Sequence, residues 1–210
     1  MSKLINTWEK YWTRVAGIDF LRVEHQLKHP IRRKIVDVAV ECGAESVLEV
    51  GAATCIDYPM FRDAGIRYVG VDVTEKMLEY ARSYNPDVDI RLGTIYSLPF
   101  KDGEFPVTYV KDVLEHLPAP GAEKVDYRDA VRELWRVAGK LIMIGFFLPP
   151  AGKENYIYKD DVWVNTYRRD EVKELVQGLP GFNRLDVLHG FGVNGSSLYV
   201  VTKKPAEHPV

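Results

Sequence analysis

The chain has 210 residues, 46% hydrophobic and 28% charged, with a formal net charge of −2 and a pI near 6.2. That length and balance fit one soluble globular domain, and the slight acidity argues against a broad nucleic-acid-binding surface. Two cysteines, Cys42 and Cys55, make no disulfide framework and suit a reducing, cytoplasmic setting, and no N-terminal segment is apolar enough for a signal peptide or membrane span.

Residues 1–30 place Trp8, Tyr11, Trp12, Val15, Ile18, Phe20 and Leu21 among charges, with Trp8, Trp12 and Val15 at helical spacing. Two readings fit. The apolar face packs on the domain, or the segment is a helical lid whose Tyr11 and Trp12 meet a substrate and exclude water. His29-Pro30 interrupts the chain, and Ile31 to Cys42 reads as the first core helix, with Ile31, Ile35, Val38 and Ala39 inward and Gly43 at its end. The basic cluster Arg22, His25, Lys28, His29, Arg32, Arg33 and Lys34 is read as a solvated helix face, with an acidic partner as the alternative.

Ser46 to Arg82 organises the rest. It reads as a buried strand over Val47–Val50, a turn of small residues from Gly51 to Cys55, a helix, and a second buried strand over Tyr68–Val71 closing on Asp72. Continuous apolar runs bounded by turn residues suit parallel strands covered on both faces, and the intervening helix makes a right-handed βαβ crossover. Ligands of such sheets lie beyond the carboxyl ends of the strands, where Gly51–Cys55 and Asp72 both fall. An acidic residue about 20 positions after the first turn is placed to accept hydrogen bonds from both ribose hydroxyls, so a nucleoside-containing ligand is expected. The turn E-V-G-A-A-T-C lacks the repeated glycines of a dinucleotide fingerprint. Glu49 at its edge repels a pyrophosphate and suits a cationic amine or sulfonium.

Thr74 is placed to cap a helix over Glu75–Ser83, with Met77 and Leu78 inward and Asn85-Pro86 beyond it. A third strand over Val88–Leu92 leads to Gly93-Thr94-Ile95 and Leu98-Pro99-Phe100. The fourth strand, Phe105–Val110, tolerates Pro106 near its start and runs into Lys111-Asp112-Val113-Leu114-Glu115-His116-Leu117-Pro118. His116 reads either as a general base for a substrate hydroxyl or amine, or as a structural residue of the loop. It has no histidine or cysteine partners at ligand spacing, so no metal site is expected. A helix over Tyr127–Val137, ended by Gly139, precedes a fifth buried strand over Lys140–Phe147.

Residues 148–168 form an insertion rich in aromatics and turn formers. Its Tyr156, Tyr158, Trp163 and Tyr167 either line an acceptor pocket or, as the alternating Y-I-Y and V-W-V runs suggest, form a hairpin covering the sheet. A helix over Asp170–Gln177 and strands over Arg184–Leu188 and Ser197–Thr202 close the domain, and residues 204–210 read as a loose tail.

Four of these segments, in this order, resemble the motifs of the class I S-adenosylmethionine-dependent methyltransferases of the methyltransferase type 11 (UbiE-like) group. E-V-G-A-A-T-C resembles (D/E)-x-G-x-G-x-G; V-D-V-T-E-K-M-L-E-Y-A-R resembles G-x-D-x-S-x-x-M-L-x-x-A-R; G-T-I-Y-S-L-P-F resembles G-D-A-x-x-L-P-F; and E-F-P-V-T-Y-V-K-D-V-L-E-H-L resembles s-F-D-x-V-x-x-x-x-V-L-x-H-L, with Pro106 in place of the aspartate. The resemblance covers roughly residues 31–203. It implies an α/β fold, a Rossmann-like doubly wound sheet of seven strands, mostly parallel with an antiparallel terminal hairpin, in an α/β/α sandwich. It implies S-adenosylmethionine as cofactor, its amino-acid moiety approached by Gly51 and its ribose held by Asp72. Glu49, Ala52, Ala53, Val73 and Met77 complete that end, and Gly93, Thr94 and Ile95 flank the adenine, with Thr94 standing where the family's acidic residue reads the adenine amino group. Val110, Lys111 and Asp112 flank the methionine part, Lys111 through its backbone rather than its ammonium.

Ala53 and Cys55 replace glycines, and an alanine forced into the left-handed region costs about 1–2 kcal/mol. The implied reaction is direct SN2 methyl transfer to a small-molecule acceptor, contacted by Tyr11, Trp12, Tyr156 and Trp163. The alternatives are a protein or RNA methyltransferase docking through the basic cluster, and a non-catalytic module that keeps the cofactor fold, for which the replaced glycines and Thr94 speak.

Overall fold

The computed structural model describes residues 10–11, 13, 28–146, 155–159, 162–191 and 196–205. Trp8, Trp12 and Val15 of the expected lid, and residues 206–210 of the expected tail, lie outside them. Lys10, Tyr11 and Thr13 are helical.

Helix α1 spans Pro30–Glu41. Pro30 occupies its first turn, where a missing N–H costs nothing, and His29 Nδ1 accepts from Ile31 N at 3.3 Å. Gly43 ends it at φ +63°, a conformation that glycine adopts without penalty. Strand β1 (Ser46–Val50), helix α2 (Tyr58–Asp63) and strand β2 (Arg67–Asp72) form the first crossover, and β1 is buried at every position. Helix α3 (Glu75–Tyr84) leads to β3 (Asp89–Leu92), and β4 (Phe105–Lys111) leads to a single 3-10 turn at Leu114–His116. Helix α4 (Tyr127–Val137) opens on a capping box in which Asp126 and Asp129 exchange bonds with each other's backbone N–H. Strand β5 is Ala138–Phe146, β6 Asn155–Lys159, β7 Val162–Thr166, α5 Arg169–Gln177, β8 Phe182–Phe191 and β9 Ser196–Lys203.

Seven strands make one sheet in the order β3-β2-β1-β4-β5-β9-β8. β1 pairs in parallel with β2 and β4, β4 with β5 and β2 with β3, while β9 runs antiparallel to β5 and β8. Ile31, Ile35 and Ala39 of α1, Phe61 of α2 and Leu78 of α3 pack on one face. Val131 and Leu134 of α4 and Val172 and Val176 of α5 pack on the other. The chain is therefore an α/β/α sandwich whose sheet reverses direction of winding between β1 and β4. Crevices open at the carboxyl ends of strands at such a reversal.

Three local expectations change. Gly139 does not end α4, because the strand begins at Ala138 without a loop; a Cβ on Gly139 would lie 3.0 Å from Gly103 O, so the glycine permits a close backbone approach. Thr74 stands at the start of α3 but makes no side-chain cap. Within the 148–168 insertion, β6 and β7 pair as a hairpin that is a separate two-stranded sheet, and β7 is hydrogen-bonded to the 114–117 turn.

Candidate functional site

The loop after β1 is closed tightly on its neighbours. Gly51 sits at φ +74°, and a Cβ there would lie 2.3 Å from Val113 Cγ2. Gly51 N and Ala52 N both donate to Val71 O, at 2.8 and 3.1 Å, tying the loop to the end of β2. Ala53 and Cys55 have φ of +47° and +52°, so the two positions where glycines were expected do take the left-handed conformation with side chains on them.

Asp72 completes the loop. Its Oδ2 accepts from Ala53 N at 2.9 Å and its Oδ1 from Thr74 N at 2.9 Å, so this one carboxylate braces the turn after β1 and the start of α3. Burial raises its pKa above the usual carboxylate range, and the two N–H donors oppose that rise. Each oxygen keeps a second lone pair for a ligand hydroxyl.

A crevice opens beside these groups. Glu49, Gly51, Ala52, Ala53 and Asp72 line it from the first two strands, with Val73 and Met77 from the start of α3. Gly93, Thr94 and Ile95 close one side; Lys111, Asp112, Val113, His116 and Leu117 close the other. Twelve of the thirteen expected cofactor positions and His116 thus meet in one place; Val110 points into the core on the α4 side instead. Tyr11, Tyr156 and Trp163 do not line it, and Trp12 is outside the described residues. Thr94 Oγ1 accepts from Tyr96 N at 3.4 Å.

Arg32 also lines the crevice, and sequence reasoning had placed it on a solvated face. It is buried, and its Nη1 lies 2.5 Å from Asp57 Oδ1. The signal was present in the spacing: Arg32 stands four residues before Val36 and seven before Ala39, both buried. Tyr109 donates to the other Asp57 oxygen at 3.2 Å, and Tyr68 donates to Glu49 Oε2. Glu49 therefore lies in a buried ionisable network; burial, with repulsion from Asp57, pushes its pKa up to about 8. Lys111 pairs with Asp112, whose φ is +54°. With the Arg32–Asp57 and Lys111–Asp112 pairs cancelling, Glu49 and Asp72 are the carboxyl groups left to a ligand; burial holds Glu49 largely protonated near neutral pH, and a cation beside it would favour its ionised form.

His116 Nδ1 lies 2.9 Å from Trp163 O of the hairpin. A carbonyl only accepts, so Nδ1 carries the hydrogen and Nε2 is the basic nitrogen of the neutral ring. Burial lowers the His116 pKa, which keeps that ring neutral. The hairpin is also tied down by Asn165 Nδ2 donating to Leu117 O at 2.7 Å, and Tyr167 just after it donates to Leu114 O at 2.6 Å.

A family model described as "Methyltransferase domain" matches residues 48–142. A demethylmenaquinone methyltransferase of Renibacterium salmoninarum is 29% identical over 132 residues, covering 61% of this chain and 53% of that protein. An uncharacterized methyltransferase of Bacillus subtilis is 31% identical over 118 residues, 52% of this chain and 44% of that one. The chain spans about half the length of the curated relatives it matches. Among solved structures, magnesium protoporphyrin IX methyltransferase from Synechocystis PCC 6803 with bound SAM superposes with a TM-score of 0.73 at 14% identity, over 97% of this chain and 99% of that one. The 1,6-didemethyltoxoflavin-N1-methyltransferase of Burkholderia thailandensis gives 0.71 at 16% identity, over 95% and 88%. At such identities these two likenesses concern the fold.

Proposed function

We propose, on the premise that the chain belongs to the class I S-adenosylmethionine-dependent methyltransferases, that it transfers a methyl group from S-adenosylmethionine to a small-molecule acceptor by direct SN2 displacement. The observation that carries this reading is the convergence of Asp72 and Glu49 on one crevice at the reversal of the sheet. The residues present fit the cofactor: Asp72 would accept from ribose hydroxyls and Glu49 would face a cationic amine or sulfonium, while Gly51, whose bare Cα makes room for Val113, would hold the loop beneath the amino-acid moiety. Ala53 and Cys55 hold the left-handed turn although they are not glycines, which weighs against a fold that has lost its ligand.

S-adenosylmethionine, when bound, supplies a methyl group activated by its sulfonium. The chain's own share is alignment and exclusion of water. Asp72, braced by two N–H donors, would hold the sugar; Ile95 would pack beside the base, and Val113 and Leu117 would give the methyl end an apolar wall. His116, neutral and oriented by the Trp163 carbonyl, takes a proton from an acceptor hydroxyl or amine. Tyr156 and Trp163 on the hairpin, and Tyr11 and Trp12 ahead of α1, are the acceptor contacts. A small acceptor fits the relatives' names, which specify demethylmenaquinone and 1,6-didemethyltoxoflavin. The free thiols of Cys42 and Cys55 suit a reducing cytoplasm.

The test is incorporation from methyl-labelled S-adenosylmethionine into a cell extract, separated by size. Label in the small-molecule fraction is expected; label confined to protein or RNA would contradict the reading.

A further inference from the structure

Glu115 has no part in the reading above, yet it stands in the 3-10 turn directly before His116, and Val113 and His116 on either side of it line the crevice. The residue as a whole is half-buried, but its Oε2 is buried and has no hydrogen-bond partner among the described residues. The donors around it are engaged elsewhere. Lys111 pairs with Asp112, Tyr167 donates to Leu114 O at 2.6 Å, and Asn165 Nδ2 donates to Leu117 O at 2.7 Å. Burial and the Asp112 carboxylate push the Glu115 pKa up to about 8, and Lys111 opposes that rise only in part. Asp112 and Glu115 thus share the single ammonium of Lys111, and a buried carboxyl oxygen without a donor is a standing cost to the fold.

A ligand that brings the missing donor removes that cost, and a cation does so best, because it favours the ionised form of Glu115. His116 Nε2, the basic nitrogen of the neighbouring residue, is a second acceptor at this end of the crevice. A hydroxyl has one hydrogen and cannot donate to both groups, whereas a primary or secondary ammonium has two or more. We propose that Glu115 selects the acceptor, whose reacting group is an amine that arrives as its ammonium and donates to Glu115 Oε2 and His116 Nε2. This rests on the methyl-transfer reading above. His116 Nε2 takes one proton of the ammonium and frees the nitrogen lone pair. The nitrogen bonds to the methyl carbon as the carbon–sulfur bond breaks, whose electron pair stays with the sulfur. Glu115 keeps its hydrogen bond to a remaining N–H, and the methylated nitrogen leaves as a cation.

The probe is the small-molecule fraction of a cell extract, titrated with the full chain and methyl-labelled S-adenosylmethionine. In wild type the carbon chemical shift of the transferred methyl group should be that of a carbon bonded to nitrogen. Glu115→Gln keeps the size of the side chain and removes its charge. It should raise the extract concentration for half-maximal labelling by about tenfold or more, while S-adenosylhomocysteine affinity in calorimetry stays within about twofold. Its melting temperature should not fall, since no partner of Glu115 Oε2 is lost. An unchanged half-maximal concentration overturns the proposal. Loss of S-adenosylhomocysteine binding or a fall in melting temperature makes Glu115 a structural residue and overturns it as well. A methyl group found on oxygen, carbon or sulfur overturns the amine acceptor and leaves the small-molecule methyltransferase standing. Wild-type protein that labels nothing in this fraction overturns that reading and this proposal together.

Discussion

On the α4 side of β1 and β4, Leu48, Val50 and Val110 join Leu134, Val137 and Ile142 in an apolar cluster, and the one buried hydroxyl of β4 there, on Thr108, donates to Leu134 O at 3.2 Å. On the α1 side of the same two strands, Glu49, Tyr109 and Lys111 alternate with them and face Arg32, Asp57 and Tyr68. Both sides are equally buried. Burial of apolar groups stabilises a fold, whereas buried charges roughly cancel their own desolvation cost at best. The ionisable network therefore contributes little to stability for its size, and the crevice opens at its edge.

The largest expected effect breaks the polar face. Arg32→Met leaves Asp57, which is 0% exposed, as an uncompensated buried charge and costs about 3–5 kcal/mol in chemical denaturation. A loss below about 1 kcal/mol would mean that the network is neutral and contributes no charge. Leu48→Ala on the other face costs a comparable amount, about 2–5 kcal/mol, by leaving a cavity, but should not alter ligand affinity beyond its effect on folding.

Next comes Glu49. Its folded pKa is raised to about 8 from the ordinary 4.5, so its contribution to stability is intact below about 4.5 and is lost as pH rises toward 8. Glu49→Gln does not titrate. The stability of the variant relative to wild type therefore increases between about pH 5 and pH 9, by an amount on the order of a few kcal/mol. A pH-independent difference would show that Glu49 keeps an ordinary pKa in the fold.

Smaller again, Asp72→Ala weakens S-adenosylhomocysteine by at least about tenfold in calorimetry, since the ribose loses a charged acceptor and the loop loses its brace. Unchanged affinity would move the site elsewhere. The smallest effect is a gain: Ala53→Gly relieves the left-handed strain at φ +47° and, net of the glycine's greater unfolded-state entropy, stabilises by about 0.5–1 kcal/mol. Cys55→Gly gains less or loses, because the Cys55 side chain is fully buried.

The same two faces explain what could be read in advance. Strand-forming runs, the turn after Val50 and an acid at the tip of the second strand announce a parallel sheet and its ligand edge, because burial on both faces and the position of Asp72 leave marks in local composition. The network behind Glu49 left a weaker mark: Arg32 sits between solvated Arg33 and the basic residues before it, and its inward position shows only in its spacing to Val36 and Ala39. The orientation of His116 was not legible at all. It depends on the main-chain carbonyl of Trp163, 47 residues away, and a backbone acceptor has no side-chain signature. Gly139 failed for a related reason, since its need for a bare Cα comes from the approach of the Gly103 carbonyl rather than from a helix end.

The placement of the nucleoside is tested most directly by diffraction from crystals grown with S-adenosylhomocysteine. Both ribose hydroxyls should lie within about 2.6–3.2 Å of the Asp72 carboxylate, with the sulfur directed toward His116. A nucleoside bound away from Asp72, or a crevice that remains closed to it, would contradict the account.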